Sequence, residues 1–317
     1  MSPMPSPVWP TSGRITLALL AVVPAAMAYP WSSTRDYCLL GIAAVVVILL
    51  FGWWRGLRLT TILRRRLAMM RRGHRSVPDS GTRTTALLRV GPPAAGADVL
   101  ALPLLTRYLN CYGIRADKIR ISHRRNTSGA DQTWIGLTVS ADDNLAALQA
   151  RSPRIPLHET AQVAARRLAD HLREMGWEAS AAGPDDIPGL LAADGAATRE
   201  RWSGMAEDGS NYVAAYRVSV DDALPDTLEA IRSHPARETW TALEIAGEPT
   251  SYTVAAACAF RSDARPSGIA PLPGLTPQRG NHRRALMALD PLSVQRLDGH
   301  TAAPVDLRER SLAFSRT

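Results

Sequence analysis

The chain predicts an α+β protein: two N-terminal transmembrane helices followed by a cytoplasmic domain of two β-α-β-β-type units. Three features carry this reading. Two apolar stretches, Ile15–Trp31 and Tyr37–Trp54, lie near the N-terminus; an arginine run follows at once; and beyond residue 80 a strand, helix, strand, strand pattern occurs twice. The expected division is 1–54 for the two helices, 55–80 for a basic stalk, 81–182 for the first α+β unit, and 183–317 for the second with a Pro-rich C-terminal arm.

An apolar helix of about 20 residues crosses a hydrocarbon core of roughly 30 Å. The second stretch holds Leu39, Leu40, Ile42, Val45 to Leu50 and Phe51 without a charge between them, which sums to roughly −3 to −6 kcal/mol of insertion free energy. Trp53 and Trp54 stand where amphipathic rings favour the headgroup level. The first stretch contains Thr16, Pro24 and Pro30. Prolines are tolerated in membrane helices whose neighbours satisfy the freed carbonyls. A signal peptide is the alternative, because Arg14, the apolar run and Ala26-Met27-Ala28 fit that pattern too. In either case Arg55, Arg58, Arg64, Arg65, Arg66, Arg71, Arg72 and Arg75 place the following domain in the cytoplasm. An integral inner-membrane protein, multi-pass, with a cytoplasmic C-terminus is the expected topology.

The formal charge is +8. The segment 55–75 carries eight arginines and no acid, so the basicity sits beside the membrane, where it suits anionic lipids at about 1 kcal/mol per basic residue. A nucleic-acid partner would require a basic face on the folded domain instead. Lys118 is the only lysine. Cys38, Cys111 and Cys258 offer neither a disulfide framework nor metal-ligand spacing, and their scarcity fits a reducing cytoplasm.

From Leu57 to Met70 the apolar residues recur near helical spacing among arginines, which predicts an amphipathic continuation of the second membrane helix, ended by Gly73 and Pro78; a solvated basic linker is the alternative. Thr84–Val90 reads as a strand, Asp98–Tyr112 as a helix capped by Asp98, and Lys118–His123 and Thr133–Ser140 as a hairpin. Helices follow at Asp142–Ala150 and Leu157–Met175, then a strand near Trp177–Ala181, giving the split βαβ order of ferredoxin-like units. A loop over Ala181–Thr198 leads to a strand at Asn211–Val220, a helix at Ala223–His234, and strands at Thr239–Ala246 and Tyr252–Phe260. Arg265–Gly280, with four prolines, reads as an irregular arm before a short helix at Asn281–Leu289.

Catalytic signatures fail one by one. His158-Glu159 opens a zincin-like motif, but Gln162 stands where the second ligand belongs. Gly91 to Gly96 has phosphate-loop spacing, yet Ala97-Asp98 replaces the lysine and hydroxyl residue that contact phosphate and Mg²⁺. The doublets Asp142-Asp143, Asp185-Asp186 and Asp221-Asp222 could suggest a metal, but two precede predicted helices and read as N-caps. Arg166-Arg167 with Asp170 and Glu174 reads as a solvated face of i,i+3 and i,i+4 pairs. No catalytic, cofactor or metal residues are therefore expected. The candidate site residues are interfacial: Trp53, Trp54, Arg55, Arg58, Arg64, Arg65, Arg66, Arg71 and Arg72.

The helix pair with its Trp-Trp-Arg exit, Thr133-Trp134 with Gly136-Leu137, Ala150-Arg151-Ser152 before Ile155-Pro156-Leu157, and Gly176-Trp177 together resemble the EccE family of type VII (ESX) secretion systems. Glu238-Thr239-Trp240-Thr241, Ala270-Pro271-Leu272-Pro273-Gly274-Leu275, and Ala285-Leu286 before Pro291-Leu292-Ser293 are similar to the family's later segments. The short chain resembles the compact paralogue linked to iron acquisition. The resemblance implies a scaffold in an inner-membrane, multi-subunit complex beside EccB, EccC and EccD, with EccC as the ATPase, supporting protein export without an active site of its own. The alternative is a membrane-tethered, glycosyltransferase-like enzyme with its site around Asp185-Asp186.

Overall fold

The computed structural model describes residues 12–27, 34–51, 53–54, 57–58, 62, 65–66, 81–93, 102–128, 131–152, 154–191, 198–207 and 211–304. The chain forms two compact units, Met1–Arg75 and Ser76–Thr317.

In the first unit, α1 (Ser12–Met27) packs against α2 (Thr34–Phe51). Ala18, Ala25 and Ala43 are buried, while Leu20, Met27, Ile42 and Ile48 are exposed. Small residues on one face allow close helix approach. Among the described residues no helix is long and apolar enough to cross a membrane. α1 is shorter than the stretch Ile15–Trp31, and α2 is displaced toward the N-terminus relative to Tyr37–Trp54. Moreover α2 opens on Thr34-Arg35-Asp36, which leaves an apolar run of roughly 22 Å at 1.5 Å per residue. Ala28–Trp31 lie outside the described residues.

The expected helical continuation from Leu57 is also corrected. Trp53–Trp54 (β1) pairs antiparallel with Leu57–Arg58 (β2), Trp53 opposite Arg58. The sequence explains the break, because Gly52 and Gly56 flank the tryptophans and each glycine costs a helix about 1 kcal/mol. Ile62, Arg65 and Arg66 are helical.

The second unit is built on one antiparallel sheet. Its first half comprises β3 (Arg83–Pro93), α3 (Leu102–Arg107), β4 (Asn110–Cys111), β5 (Ile114–Asn126), β6 (Asp131–Ser140), α4 (Ala141–Arg151), α5 (Leu157–Glu174) and β7 (Trp177–Ala182). A single 3₁₀ turn (Pro184–Asp186) leads to β8 (Arg199–Arg201), β9 (Gly204–Glu207), β10 (Asn211–Val218), α6 (Leu224–Ser233), β11 (Glu238–Glu248), β12 (Ser251–Ser262), β13 (Leu275–Pro277), α7 (His282–Leu289) and β14 (Thr301–Ala302). Strand order is β7-β3-β6-β5-β11-β12-β10-β9-β8, with β13 on β10, β14 on β12 and β4 on β5. Each half therefore places its second hairpin strand between the two strands that flank its helix, and β5 meets β11 edge to edge. That seam runs from Asn126 opposite Glu238 to Ile119 opposite Ile245.

The predicted helix from Asp98 to Tyr112 is reduced to α3. Tyr112 and Gly113 both have positive φ, +55° and +70°, and Cys111 pairs with Ile114, so this stretch turns as a tight hairpin rather than extending the helix. Asp98 lies outside the described residues. The Pro-rich arm is less irregular than expected, since Leu275–Pro277 adds to the sheet beside β10.

Both sheet faces are buried. On one, Leu88, Ile119, Ile121, Ile135, Leu243 and Val254 form a core with Leu105 of α3, Leu168 of α5 and Ile231 of α6. On the other, Leu87, Trp134, Val213, Trp240 and Ala259 meet Leu286 and Leu289 of α7, together with Leu190 and Leu297. Period-2 alternation sends successive residues to opposite faces. Here even the polar set is covered, which sequence alternation alone assigns to solvent.

Trp134 and Trp240 stack across the seam, centroids 5.7 Å apart and 8° between planes. Replacing Trp134 by Ala is expected to cost about 3–5 kcal/mol, read by denaturant unfolding of the purified chain. A Cβ on Gly136 would lie 2.8 Å from the Pro291 carbonyl oxygen. Gly136→Ala is therefore expected to cost about 1–3 kcal/mol, with faster hydrogen exchange around residue 291. Unchanged exchange there would refute the close approach.

Candidate functional site

The seam between the halves collects the charges that the sheet buries. Lys118 and Arg120 alternate with Ile119 and Ile121 along β5, so both project onto the face that carries Trp134 and Trp240. Glu244 arrives opposite Arg120 because β11 pairs in that register. All three are at most 1 % exposed. Arg120 donates from Nε (3.0 Å) and Nη2 (2.5 Å) to Glu244 Oε2, and Lys118 Nζ lies 3.3 Å from the same oxygen. The other carboxylate oxygen accepts the Leu297 amide and His300 Nε2, both at 3.0 Å.

Two cations against one anion leave excess positive charge in the interior, and backbone dipoles answer it. Lys118 donates to the carbonyls of Ser293 (2.8 Å) and Gln295, and Arg120 donates to those of Asp290 (2.8 Å) and Gln295 (2.5 Å). The segment 290–300 is thereby strapped across the seam. Burial, aided by the neighbouring Arg120 charge, pushes Lys118 down to about 7, with Glu244 acting the other way. Burial alone would raise the Glu244 carboxyl, but the His300 hydrogen bond and the charges of Arg120 and Lys118 outweigh it and hold it down at about 2.

At the other end of the same face, a ladder links residues of five strands. Arg124 pairs with Glu238 and reaches Gln132 at 3.0 Å; Arg261 donates to Glu238 Oε2 at 2.8 Å, pairs with Glu207, and reaches the Leu190 carbonyl at 2.7 Å. The Arg124 guanidinium also lies over the Trp240 ring, 5.7 Å from its centroid. Each of these charged groups is matched within the fold, an arrangement suited to fixing strands.

A separate cleft of about 280 Å³ opens between the β4–β5 hairpin and the first half of α5. Apolar Ile114, Pro156 and Val163 line it, with Arg151, Arg167 and Tyr112 among its polar neighbours. The Arg167 guanidinium sits 4.3 Å from the Tyr112 ring centroid. Arg167 therefore does not join the solvated ion-pair face expected for α5; Asp170 pairs with Arg173 at 3.1 Å instead.

The sequence-singled residues are dispersed. His158 lies at the start of α5, Nδ1 3.1 Å from Thr84 Oγ1 and Nε2 2.9 Å from Gln162 Nε2. Gln162 thus occupies the second-ligand position and touches His158 directly. The N-cap reading of the doublets is corrected. Asp142 and Asp143 sit in the first turn of α4, behind Ser140 as N-cap, where the helix dipole favours them. Asp221 Oδ1 accepts the Ala223 amide at 3.1 Å just ahead of α6. Asp186 Oδ2 accepts the Gly183 amide at 2.7 Å, and both Asp185 and Asp186 are exposed. Among the described residues, no three His, Cys, Asp or Glu side chains are grouped to hold a metal. Cys258 is buried in the core, which pushes its thiol up and away from nucleophilic use.

Of the interfacial set, Trp53, Trp54 and Arg58 lie in the β1–β2 hairpin. Arg65 is half-buried and Arg66 exposed. Arg55, Arg64, Arg71 and Arg72 lie outside the described residues. The seam charges went unrecognised in the sequence. The one available signal was the sole lysine inside an alternating strand, since Lys is almost never fully buried without partners.

Fold and site together define an α+β protein whose buried charges join its own strands. The family described as "Putative type VII ESX secretion system translocon, EccE" matches residues 127–218. The chain is 66% identical over 314 residues to the ESX-3 secretion system protein EccE3 of Mycobacterium tuberculosis strain H37Rv, covering 98% of this chain and 93% of that protein. It is 49% identical over 296 residues to the protein of the same description in Mycolicibacterium smegmatis, covering 93% and 92%. The chain belongs to the EccE family. It is a structural component of a type VII secretion system, and so works within a multi-subunit complex.

Removing one partner from a buried charge pair leaves the other unmatched. Glu244→Gln is expected to cost about 3–5 kcal/mol and to loosen 290–300. Lys118→Met, which removes the like-charge neighbour of Arg120, is expected to stay within about 1 kcal/mol at pH 7. Urea unfolding with hydrogen exchange distinguishes the two. Between pH 7 and 10.5 the unfolded chain keeps a proton on Lys118 that the folded chain has released. Folded stability should therefore gain from this residue as pH rises through that window, and Lys118→Met should flatten the slope.

Proposed function

We propose that the chain is a non-enzymatic structural subunit of an ESX-3 type secretion complex, anchored in the inner membrane by its N-terminal helix pair and presenting the sheet unit to the cytoplasm. The observation that carries the non-enzymatic reading is the use of the charged side chains that the fold brings together: Glu244, Arg120, Lys118 and the Arg124–Glu238–Arg261–Glu207 ladder are consumed in joining strands. Near full-length similarity to proteins described as ESX-3 EccE3 supports the assignment to that system. EccB, EccD and the ATPase EccC are the proposed neighbours.

Support for the anchor comes from the first unit. Leu20 is 72% exposed, Met27 82% and Ile48 59%, and leaving such side chains in water forgoes about 1.5–3 kcal/mol each. Lipid or a partner's membrane helix would recover it. The arginines at 55–75 then favour a multi-pass topology with a cytoplasmic C-terminus, and favour contact with anionic lipids. The two α+β units at 81–182 and 183–317 are proposed as related halves, a reading supported by their matching strand orders.

A reporter active only outside the membrane, fused after Thr317, should stay silent; activity would overturn the cytoplasmic placement. Neutralising Arg64, Arg65 and Arg66 together should reduce recovery of the membrane complex several-fold while the sheet unit stays folded, as judged by its unfolding transition. Secretion should remain near normal in Asp185→Ala with Asp186→Ala, and in His158→Ala. Its loss there, with assembly intact, would favour chemistry over scaffolding.

A further inference from the structure

The cleft beside α5 has a polar rim that the seam does not use. Its geometry begins with a residue held in an uncommon conformation. Tyr112 has φ +55°, in a two-residue turn where Asn or Gly is usual, and a non-glycine residue there is disfavoured by roughly 1–2 kcal/mol. Burial does not reward it, since Tyr112 is 51% exposed. What the turn achieves is placement: the ring stands at the mouth of the cleft, under the Arg167 guanidinium and edge-on to Tyr108.

Arg151 is anchored to the same turn, donating to the Tyr112 carbonyl at 3.4 Å. Neither Arg151 nor Arg167 makes an ion pair among the described residues, although Arg115 on β5 and Arg173 on α5 do. Two guanidinium groups are thus held at the mouth of an apolar hole, with Glu159 as the single acid in its lining. Val163 and Ile155 beside it are 43% and 47% exposed. A volume near 280 Å³ falls just below the usual range of small-ligand sites, roughly 300–1,000 Å³, and fits one or two inserted side chains.

We propose that this cleft is a docking site for another subunit of the complex, which inserts a large apolar side chain and places a carboxylate within one helical turn of it against Arg151 and Arg167. Charge complementarity selects an acidic segment, and the apolar walls supply the anchor. This rests on the subunit reading above.

The test uses the full chain in native membranes, with photoreactive benzoylphenylalanine replacing Val163. Irradiation should join the probe to a segment of a companion subunit that carries an acidic residue within four positions of an apolar one. Arg151→Glu with Arg167→Glu should lower that adduct about tenfold or more while the unfolding transition of the chain is unchanged, and Arg151→Lys with Arg167→Lys should keep most of it. Exchanging the partner's acid for lysine should restore the adduct in the double-glutamate variant. A chain that retains its companions while the probe labels none of them, labels lipid or a second copy, or ignores the charge reversal overturns the docking site alone. A wild-type chain that leaves the membrane with no companion overturns the subunit reading and the docking site with it.

Discussion

The carboxylate of Glu244 is the constraint around which the sheet unit is arranged. It is fully buried, and an unmatched buried charge is costly enough that every neighbour must be placed to meet it. Oε2 fixes β11 against β5 through Arg120 and Lys118, and Oε1 holds the amide of Leu297 and the ring of His300. One side chain therefore sets both the register between the halves and the course of the chain after α7. The strap it holds in turn closes the face that carries the Trp134–Trp240 stack. Arginine suits the central position because its planar fork donates from two nitrogens to one carboxylate while further donors reach backbone carbonyls.

Much of the architecture was legible in the sequence because it is written in period. Ile119, Ile121 and Ile135, Leu137 alternate cleanly, and the helices at 141–151, 157–174, 224–233 and 282–289 fall where the apolar spacing changes. The departures have separate physical causes. Asp98–Tyr112 has helical composition, but the Tyr112-Gly113 turn depends on a left-handed tyrosine that sequence preference argues against. The spacing of Leu57, Leu59, Ile62 and Leu63 favours a helix, but Gly52 and Gly56 weigh against one. Lys118, Arg120 and Glu244 look like the solvent face of two strands. Only the register of a pairing that joins positions 126 apart turns that face into an interior. No local pattern encodes such a contact. The cleft escaped notice for the same reason, since Tyr112, Arg151 and Arg167 belong to three separate elements.

Charge is partitioned along the chain according to the surroundings it must face. The arginine block at 55–75 carries the formal excess, whereas in the sheet unit ion pairs and carbonyls absorb most of the buried charge. Association of that unit with neighbours then depends on shape and on a few exposed side chains rather than on a broad electrostatic field, which salt would screen within about 10 Å.

The edge-to-edge seam also imposes an order on biosynthesis. When β5 leaves the ribosome its outer edge has no partner, and the strand that will cover it is encoded more than a hundred residues later, with Glu244 following Lys118 by 126 positions. At about 5–20 residues per second, that edge and its two buried cations wait on the order of 6–25 s for the anion that neutralises them. The positive charge of Lys118 and Arg120, which is a burden to the finished interior, protects the nascent strand in that interval, because basic residues on an open edge discourage pairing with other chains. The same two side chains guard the half-made sheet and then lock the completed one.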